Sequence, residues 1–180
     1  MKFTALELKG AFVIEVNKIE DQRGFFGRLW CEKEFKDHNL KTNIVQSNVS
    51  LSKKKGTLRG MHFQKGKYAE TKFVRCTRGS VYDVIVDLRP DSPTFKQWCG
   101  VELTANNYKM IYVPENFAHG FLTLEDDSEV YYLVTQFYSS EHEGGIHYND
   151  SDINIKWPIE INEISDKDNN HPKFSLKNIK

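Results

Sequence analysis

The chain has 180 residues, 39% hydrophobic and 13% aromatic, with 25 basic and 25 acidic side chains. That length suits one domain with a full core, predicted here over residues 1–180. Zero net charge gives no global reason to expect nucleic acid or a membrane as partner. Cys31, Cys76 and Cys99 match no zinc or redox spacing, and no signal-like or membrane-spanning run is seen, so free thiols in the cytoplasm are expected.

In chain order, Phe12–Val16 reads as a strand, and Asp21-Gln-Arg-Gly24 as a turn into a strand at Phe25–Trp30. Glu32–His38 has the pattern of a two-turn helix. Residues 43–52 and 57–64 read as strands broken at Lys55-Gly56. Lys72–Cys76 and Val81–Leu88 are expected to form a hairpin around Arg78-Gly79-Ser80. In its second arm Tyr82, Val84, Val86 and Leu88 share one face, and Val81, Asp83, Ile85 and Asp87 the other. Further strands follow at Gln97–Leu103, Met110–Val113, Gly120–Leu124 and Val130–Tyr138, with a turn at Glu125–Ser128. The polar tail, about residues 159–180, is expected to pack on the strands, with a short helix opening at Ser165. With no helix of ordinary length between strands, the chain is predicted to be all-β, an antiparallel sandwich or barrel rather than βαβ units.

The charge is balanced globally but not locally. Residues 51–80 hold nine basic side chains (Lys53, Lys54, Lys55, Arg59, Lys65, Lys67, Lys72, Arg75, Arg78) against the single acid Glu70, leaving 16 basic and 24 acidic residues elsewhere. A basic cluster in a neutral protein points to a small anionic ligand. Lys53–Lys55 also fit the plainer role of guarding a strand edge.

Inside that cluster Arg59 and His62 stand three residues apart. Histidine titrates near neutral pH and suits proton transfer, while arginine holds phosphate or carboxylate through a forked pair of hydrogen bonds. In a regular strand the two point to opposite faces, so a shared pocket requires a bulge, for which Gly60 is the natural place. His119 falls in Val113-Pro-Glu-Asn-Phe-Ala-His-Gly120, read as a turn entering the next strand. His38, His142, His147 and His171 lie in polar or loop contexts and read as surface residues.

A metal-binding barrel of this type carries an H-x-H pair. Here that position reads His62-Phe63-Gln64, so the second ligand is missing, Glu70 is a poor substitute, and no metal site is expected. Proton transfer fits better, with His62 as base and a carboxylate to orient it. Asp83, Asp87 and Asp168 are all candidates for that carboxylate. Lys72 can stabilise an enolate oxygen, and Tyr131, Tyr132 or Tyr138 can serve as acid, Tyr132 and Tyr138 sharing a strand face.

These motifs resemble the dTDP-4-dehydrorhamnose 3,5-epimerases and related nucleotide-sugar epimerases. The matching runs are Asp21–Phe26, Gln46-Ser-Asn48, Leu58-Arg-Gly-Met-His-Phe-Gln64, Lys72–Arg75, Asp83–Arg89 with Ser92–Phe95, Val113–Leu122 and Ile155-Lys-Trp-Pro158. The resemblance spans about residues 5–172. It implies a cupin-type jelly roll and a homodimer that works without metal or other cofactor in surface-polysaccharide sugar biosynthesis. The substrate would be a nucleotide-diphospho-4-keto sugar, inverted at C3, C5 or both. By this resemblance His62 is the base oriented by Asp168, Tyr132 the opposite-face acid and Lys72 the enolate stabiliser. Arg59 would hold the diphosphate with His119 near the sugar. Gln46, Asn48, Tyr138, Glu143 and Lys167 would bind substrate from the same chain, and Arg23 and Phe26 from the partner subunit. Arg28 replaces a glutamate common in thymidine-specific members. An arginine cannot accept the thymine ring N–H but pairs well with guanine, so a GDP-linked 4-keto heptose stands beside the dTDP sugar as a possible substrate. The other readings are a sugar-nucleotide 3,4-ketoisomerase, a metal-dependent cupin oxygenase and a non-catalytic sugar-binding barrel.

Overall fold

Alternating side-chain directions along short strands build two facing antiparallel sheets in the computed structural model, which describes residues 1–179. The strands begin with β1 (Lys2–Ala5), β2 (Phe12–Glu15) and a small hairpin, β3 (Ile19–Asp21) and β4 (Gly24–Phe26). Helix α1 (Glu32–Asp37) precedes β5 (Gln46–Ser52), β6 (Thr57–Gln64), β7 (Lys72–Arg78) and β8 (Ser80–Asp87). Then come β9 (Trp98–Thr104), β10 (Met110–Val113), β11 (Phe117–Thr123), β12 (Ser128–Val134), β13 (Glu143–Gly145), β14 (Glu163–Ile164) and helix α2 (Asp166–Asn169). The first sheet runs β1-β2-β10-β7-β12-β5, and the second β13-β6-β11-β8-β9, with β14 parallel to β6.

Three apolar layers follow from strand parity. Between the sheets lie Val74, Cys76, Ile111, Val113 and Val130 from the first, and Val81, Ile85, Leu103, Phe117 and Phe121 from the second. Helix α1 covers the outer face of the first sheet, where Phe35 packs with Phe73, Met110 and Tyr112. The chain after β13 covers the outer face of the second, setting Ile146, Ile153 and Ile155 against Met61, Phe63, Val84 and Val86, with Phe174 and Ile179 alongside.

Several expectations change in detail. The predicted hairpin of Lys72–Cys76 with Val81–Leu88 does not form, because the two strands belong to different sheets. β7 pairs with β10 and β12, and β8 with β11 and β9. Gly79 (φ 72°) carries the chain across, where a side chain would meet Ser128 Oγ at 2.5 Å. The expected faces of the second arm are nevertheless those found, since face depends on local parity and not on the partner strand. The strand expected at Phe25–Trp30 stops at Phe26, and the one at 130–138 stops at Val134, so Tyr138 stands on the loop after β12. His119 lies inside β11, after a turn in which Asn116 takes a positive φ of 60°.

Asp87, expected as a candidate partner for His62, closes a local network instead. Its buried carboxylate accepts from Arg89 Nε at 2.8 Å, Arg89 Nη2 at 2.7 Å, Thr94 Oγ1 at 2.7 Å and the Arg89 backbone N–H. Burial opposes ionisation, but these donors outweigh it and hold the carboxyl below the usual range. Asp87→Asn is expected to cost about 2–3 kcal/mol in denaturant unfolding at pH 7. Because the folded-state value is depressed, the stabilisation is present above the unfolded value near 3.9 and is lost as pH falls through the folded one. The gap between wild type and variant therefore narrows in acid, which unfolding curves at pH 7 and about pH 3 check.

Candidate active site

β6 and β11 are paired across a bulge, with His119 opposite His62 and Phe121 opposite Arg59. Two residues separate Arg59 from His62 where only one separates His119 from Phe121. The extra residue sits at Gly60-Met61, whose peptide bond is cis. Past the bulge Met61 and Phe63 pack outward, while Arg59 and His62 both turn to the space between the sheets. The odd spacing that set them on opposite faces is thereby undone. Gly60 has φ 141°, and a Cβ there would lie 2.6 Å from Gly120 Cα, so the position admits only glycine.

β14 runs beside the start of β6 and delivers α2 to this bulge. Ser165 caps α2 by accepting the Asp168 N–H at 3.1 Å. The buried Asp168 carboxylate takes the Gly60 N–H on Oδ2 at 3.0 Å and His62 Nε2 on Oδ1 at 2.7 Å. Burial opposes its ionisation, but the His62 hydrogen bond and charge, with the Gly60 N–H, hold its pKa below the usual range. Against the ionised Asp168 carboxylate His62 donates from Nε2, and in the neutral ring this leaves the lone pair on Nδ1. Among the three candidate carboxylates, only Asp168 meets His62. Asp83 meets His119 Nε2 at 2.9 Å.

Two adjoining cavities, about 320 and 240 Å³, share His62, Lys72 and Tyr132. The larger adds Gln46, Asn48, Glu70, Tyr138 and Glu143, and the smaller adds Arg59, His119, Phe121, Lys167 and Asp168. Tyr132 and Lys72 come from the first sheet and His62 from the second, so they face one another across the junction. Burial raises the Tyr132 phenol, Glu70 adds to this and Arg59 opposes it, leaving a neutral acid. Lys72 Nζ pairs with Glu70 Oε1 at 3.2 Å. Arg59 is braced by Ser52 Oγ at 3.0 Å and the Leu51 carbonyl at 3.1 Å. Glu143 accepts from Tyr138 Oη at 3.0 Å and Lys167 Nζ at 2.7 Å. Burial opposes Glu143 ionisation, yet Lys167 and Tyr138 hold its pKa low.

Of the basic cluster only Arg59 and Lys72 reach the junction. Lys53–Lys55 lie at the exposed turn after edge strand β5, and Arg78 pairs with Glu129. Tyr131 turns away from the junction and binds Ser47 Oγ. Gln64, at the vacant metal-ligand position, is buried and structural. It donates to the Tyr68 and Phe137 carbonyls and accepts the Ser139 N–H, anchoring the loop that bears Tyr138. Arg23 and Phe26 lie on the β3–β4 hairpin and line neither cavity of their own chain; the Phe26 ring is 69% exposed. Arg28 likewise stands apart, pairing with Glu34 at 2.9 Å. The surface position expected for His171 is not found: its side chain is only 11% exposed and its ring meets His62 edge-on at 5.4 Å. Its position three residues past Asp168 in a helical turn was the available signal.

The fold and site define an isomerase on a cupin-type jelly roll. A family model for dTDP-4-dehydrorhamnose 3,5-epimerase matches residues 5–175, and the chain belongs to that family. It is 43% identical over 175 residues to the dTDP-4-dehydrorhamnose 3,5-epimerase of Shigella flexneri, covering 97% of this chain and 96% of that one. The crystal structure of the Elizabethkingia anophelis dTDP-4-dehydrorhamnose 3,5-epimerase superposes with a TM-score of 0.96 at 44% identity, covering 99% of this chain and 98% of that one. The Legionella pneumophila dTDP-6-deoxy-D-glucose-3,5-epimerase, in complex with dTDP-4-keto-L-rhamnose, gives 0.90 at 35% identity over 99% and 94%.

Gly60→Ala is expected to lose at least about 2 kcal/mol of stability, from backbone strain and the clash with Gly120. Gly24→Ala, at a comparable φ of 126° but with open space around it, is the control for strain alone. Unfolding midpoints of the two variants separate clash from strain.

Proposed function

We propose that the protein inverts C3 and C5 of a dTDP-linked 4-keto-6-deoxyhexose without a metal or other cofactor. The observation that carries this reading is the facing of His62 and Tyr132 from opposite sheets across one junction. A sugar ring seated there presents one face to the base and the other to the acid.

His62 Nδ1 takes the proton α to the ketone, and Asp168 stabilises the imidazolium that results. The electron pair moves onto the ketone oxygen, where the Lys72 ammonium meets the developing charge. Tyr132 then gives a proton to the same carbon from the other face, and the ketone reforms with that centre inverted. Arg59 supplies the cation for the diphosphate, and His119, oriented by Asp83, borders the sugar. Gln46, Asn48, Tyr138, Glu143 and Lys167 line the rest of the groove. Thymidine is favoured over guanosine because the relatives are named for dTDP substrates, and because Arg28 is already engaged by Glu34. We further propose a homodimer in which the β3–β4 hairpin brings Arg23 and Phe26 to the neighbour's groove. The hairpin's exposed Ile19 and Phe26, 68% and 69% accessible, support this.

In D₂O, dTDP-4-keto-6-deoxyglucose is expected to gain deuterium at C3 and C5 without added metal. Exchange with neither the dTDP nor the corresponding GDP sugar would remove the epimerase reading. His62→Ala is expected to lower turnover by about 10²–10⁴. Tyr132→Phe is expected to lower product formation more than deuterium wash-in, since deprotonation proceeds without the acid; equal loss of both would count against opposite-face protonation.

A further inference from the structure

The proposed reaction has no task for His171, yet this residue closes a cluster around the base. His171 Nε2 lies 3.6 Å from Asp168 Oδ1, and His62 Nε2 lies 2.7 Å from the same oxygen. One ligating atom from each of the three residues lies within 4.8 Å of the others. The buried His171 Nε2 has no hydrogen-bond partner among the described residues. The ring is seated against β13 at Gly145, the residue paired with His62, where a Cβ would come within 2.3 Å of it.

Two imidazoles and a carboxylate form a donor set for zinc and its neighbours in the transition series, and a poor one for magnesium. Zinc–ligand bonds of about 2.0–2.1 Å in a tetrahedral site place donors about 3.3 Å apart. The 2.7 Å contact must open by about 0.6 Å and the 3.6 Å contact close by about 0.3 Å, and the two imidazole nitrogens, which lie within 4.8 Å, must settle to the same spacing. Asp168 and Glu143 supply negative charge nearby; of the two lysines that border His171, Lys167 is paired with Glu143, and Lys65 lines the adjoining cavity.

We propose that His62, Asp168 and His171 form an inhibitory site for a zinc-class divalent cation. The inhibition rests on the reading of His62 as base. A neutral imidazole carries one proton. In the free dyad that proton is on Nε2, facing Asp168, and Nδ1 is free to accept from substrate. A cation bound at Nε2 takes that lone pair, so the proton moves to Nδ1, the atom that must accept. Occupancy and turnover thus exclude each other, with no net proton exchanged at the ring.

The test is calorimetric titration of the chelator-treated protein with Zn²⁺, alongside turnover at the same Zn²⁺ concentrations. The expected result is one Zn²⁺ per chain, with inhibition that follows occupancy, is reversed by EDTA and is absent with Mg²⁺. His171→Ala is expected to keep turnover and to weaken both binding and inhibition by at least about tenfold. His171→Gln, which fills the space without an imidazole nitrogen, is expected to do the same should the alanine variant fold poorly. Wild type that takes up no Zn²⁺, or a His171 variant inhibited at the same Zn²⁺ concentration as wild type, overturns the proposal. Were the protein to turn over none of the sugars tried, calorimetry of wild type against the His171 variants would still decide the cation site.

Discussion

The site depends on the close approach of two glycines, Gly60 on β6 and Gly120 on β11. A side chain on either would strike the other strand's backbone, at 2.6 Å for Gly60 and 2.7 Å for Gly120. That contact lets β6 carry one extra residue, and the extra residue rotates Arg59 and His62 to the same side. It also frees the Gly60 N–H from the ladder and turns it toward Asp168. One bulge therefore aims His62, aims Arg59 and supplies a hydrogen bond to the carboxylate that holds His62.

The two-sheet architecture does the rest. Acid–base work on opposite faces of a flat substrate needs donor and acceptor on opposite walls. Each sheet offers inward positions at every second residue, and Lys72 and Tyr132 on one wall face His62 and His119 on the other. The apolar layer between the sheets, with Phe117, Phe121 and Val130, backs these polar groups. Burial keeps Tyr132 protonated, and the donors around Asp168 keep it ionised. Two groups of opposite tendency are thus held ready by their surroundings.

Much of this was legible in the residues. Strand positions, the short helix at Glu32 and the helix opening at Ser165 follow from local pattern and capping. The faces of Val81–Leu88 follow from parity alone. The failed hairpin shows where local reading stops. A glycine between two apolar runs is equally good as a hairpin turn or as a crossing between sheets, and the pattern does not say which strands will pair. The ends of strands were overrun at Trp30 and Tyr138, because a run of β-forming residues continues past the point where the partner strand ends. His171 looked like a surface residue because burial there comes from β13 and from the His62 ring, both distant in sequence.

By itself the sequence determined an all-β chain, a histidine and an arginine three residues apart at a glycine, and, through the Gln64 position, the lack of an H-x-H pair. These are local properties, carried by residue type and spacing. Only the tertiary structure chose Asp168 over Asp83 and Asp87 for His62, set Tyr132 across from it, and gathered His171 to the same carboxylate. Each of those contacts joins residues from separate elements, Asp168 and His62 being 106 positions apart in the chain. Such contacts depend on how sheets stack and where a bulge falls, and no local pattern encodes that.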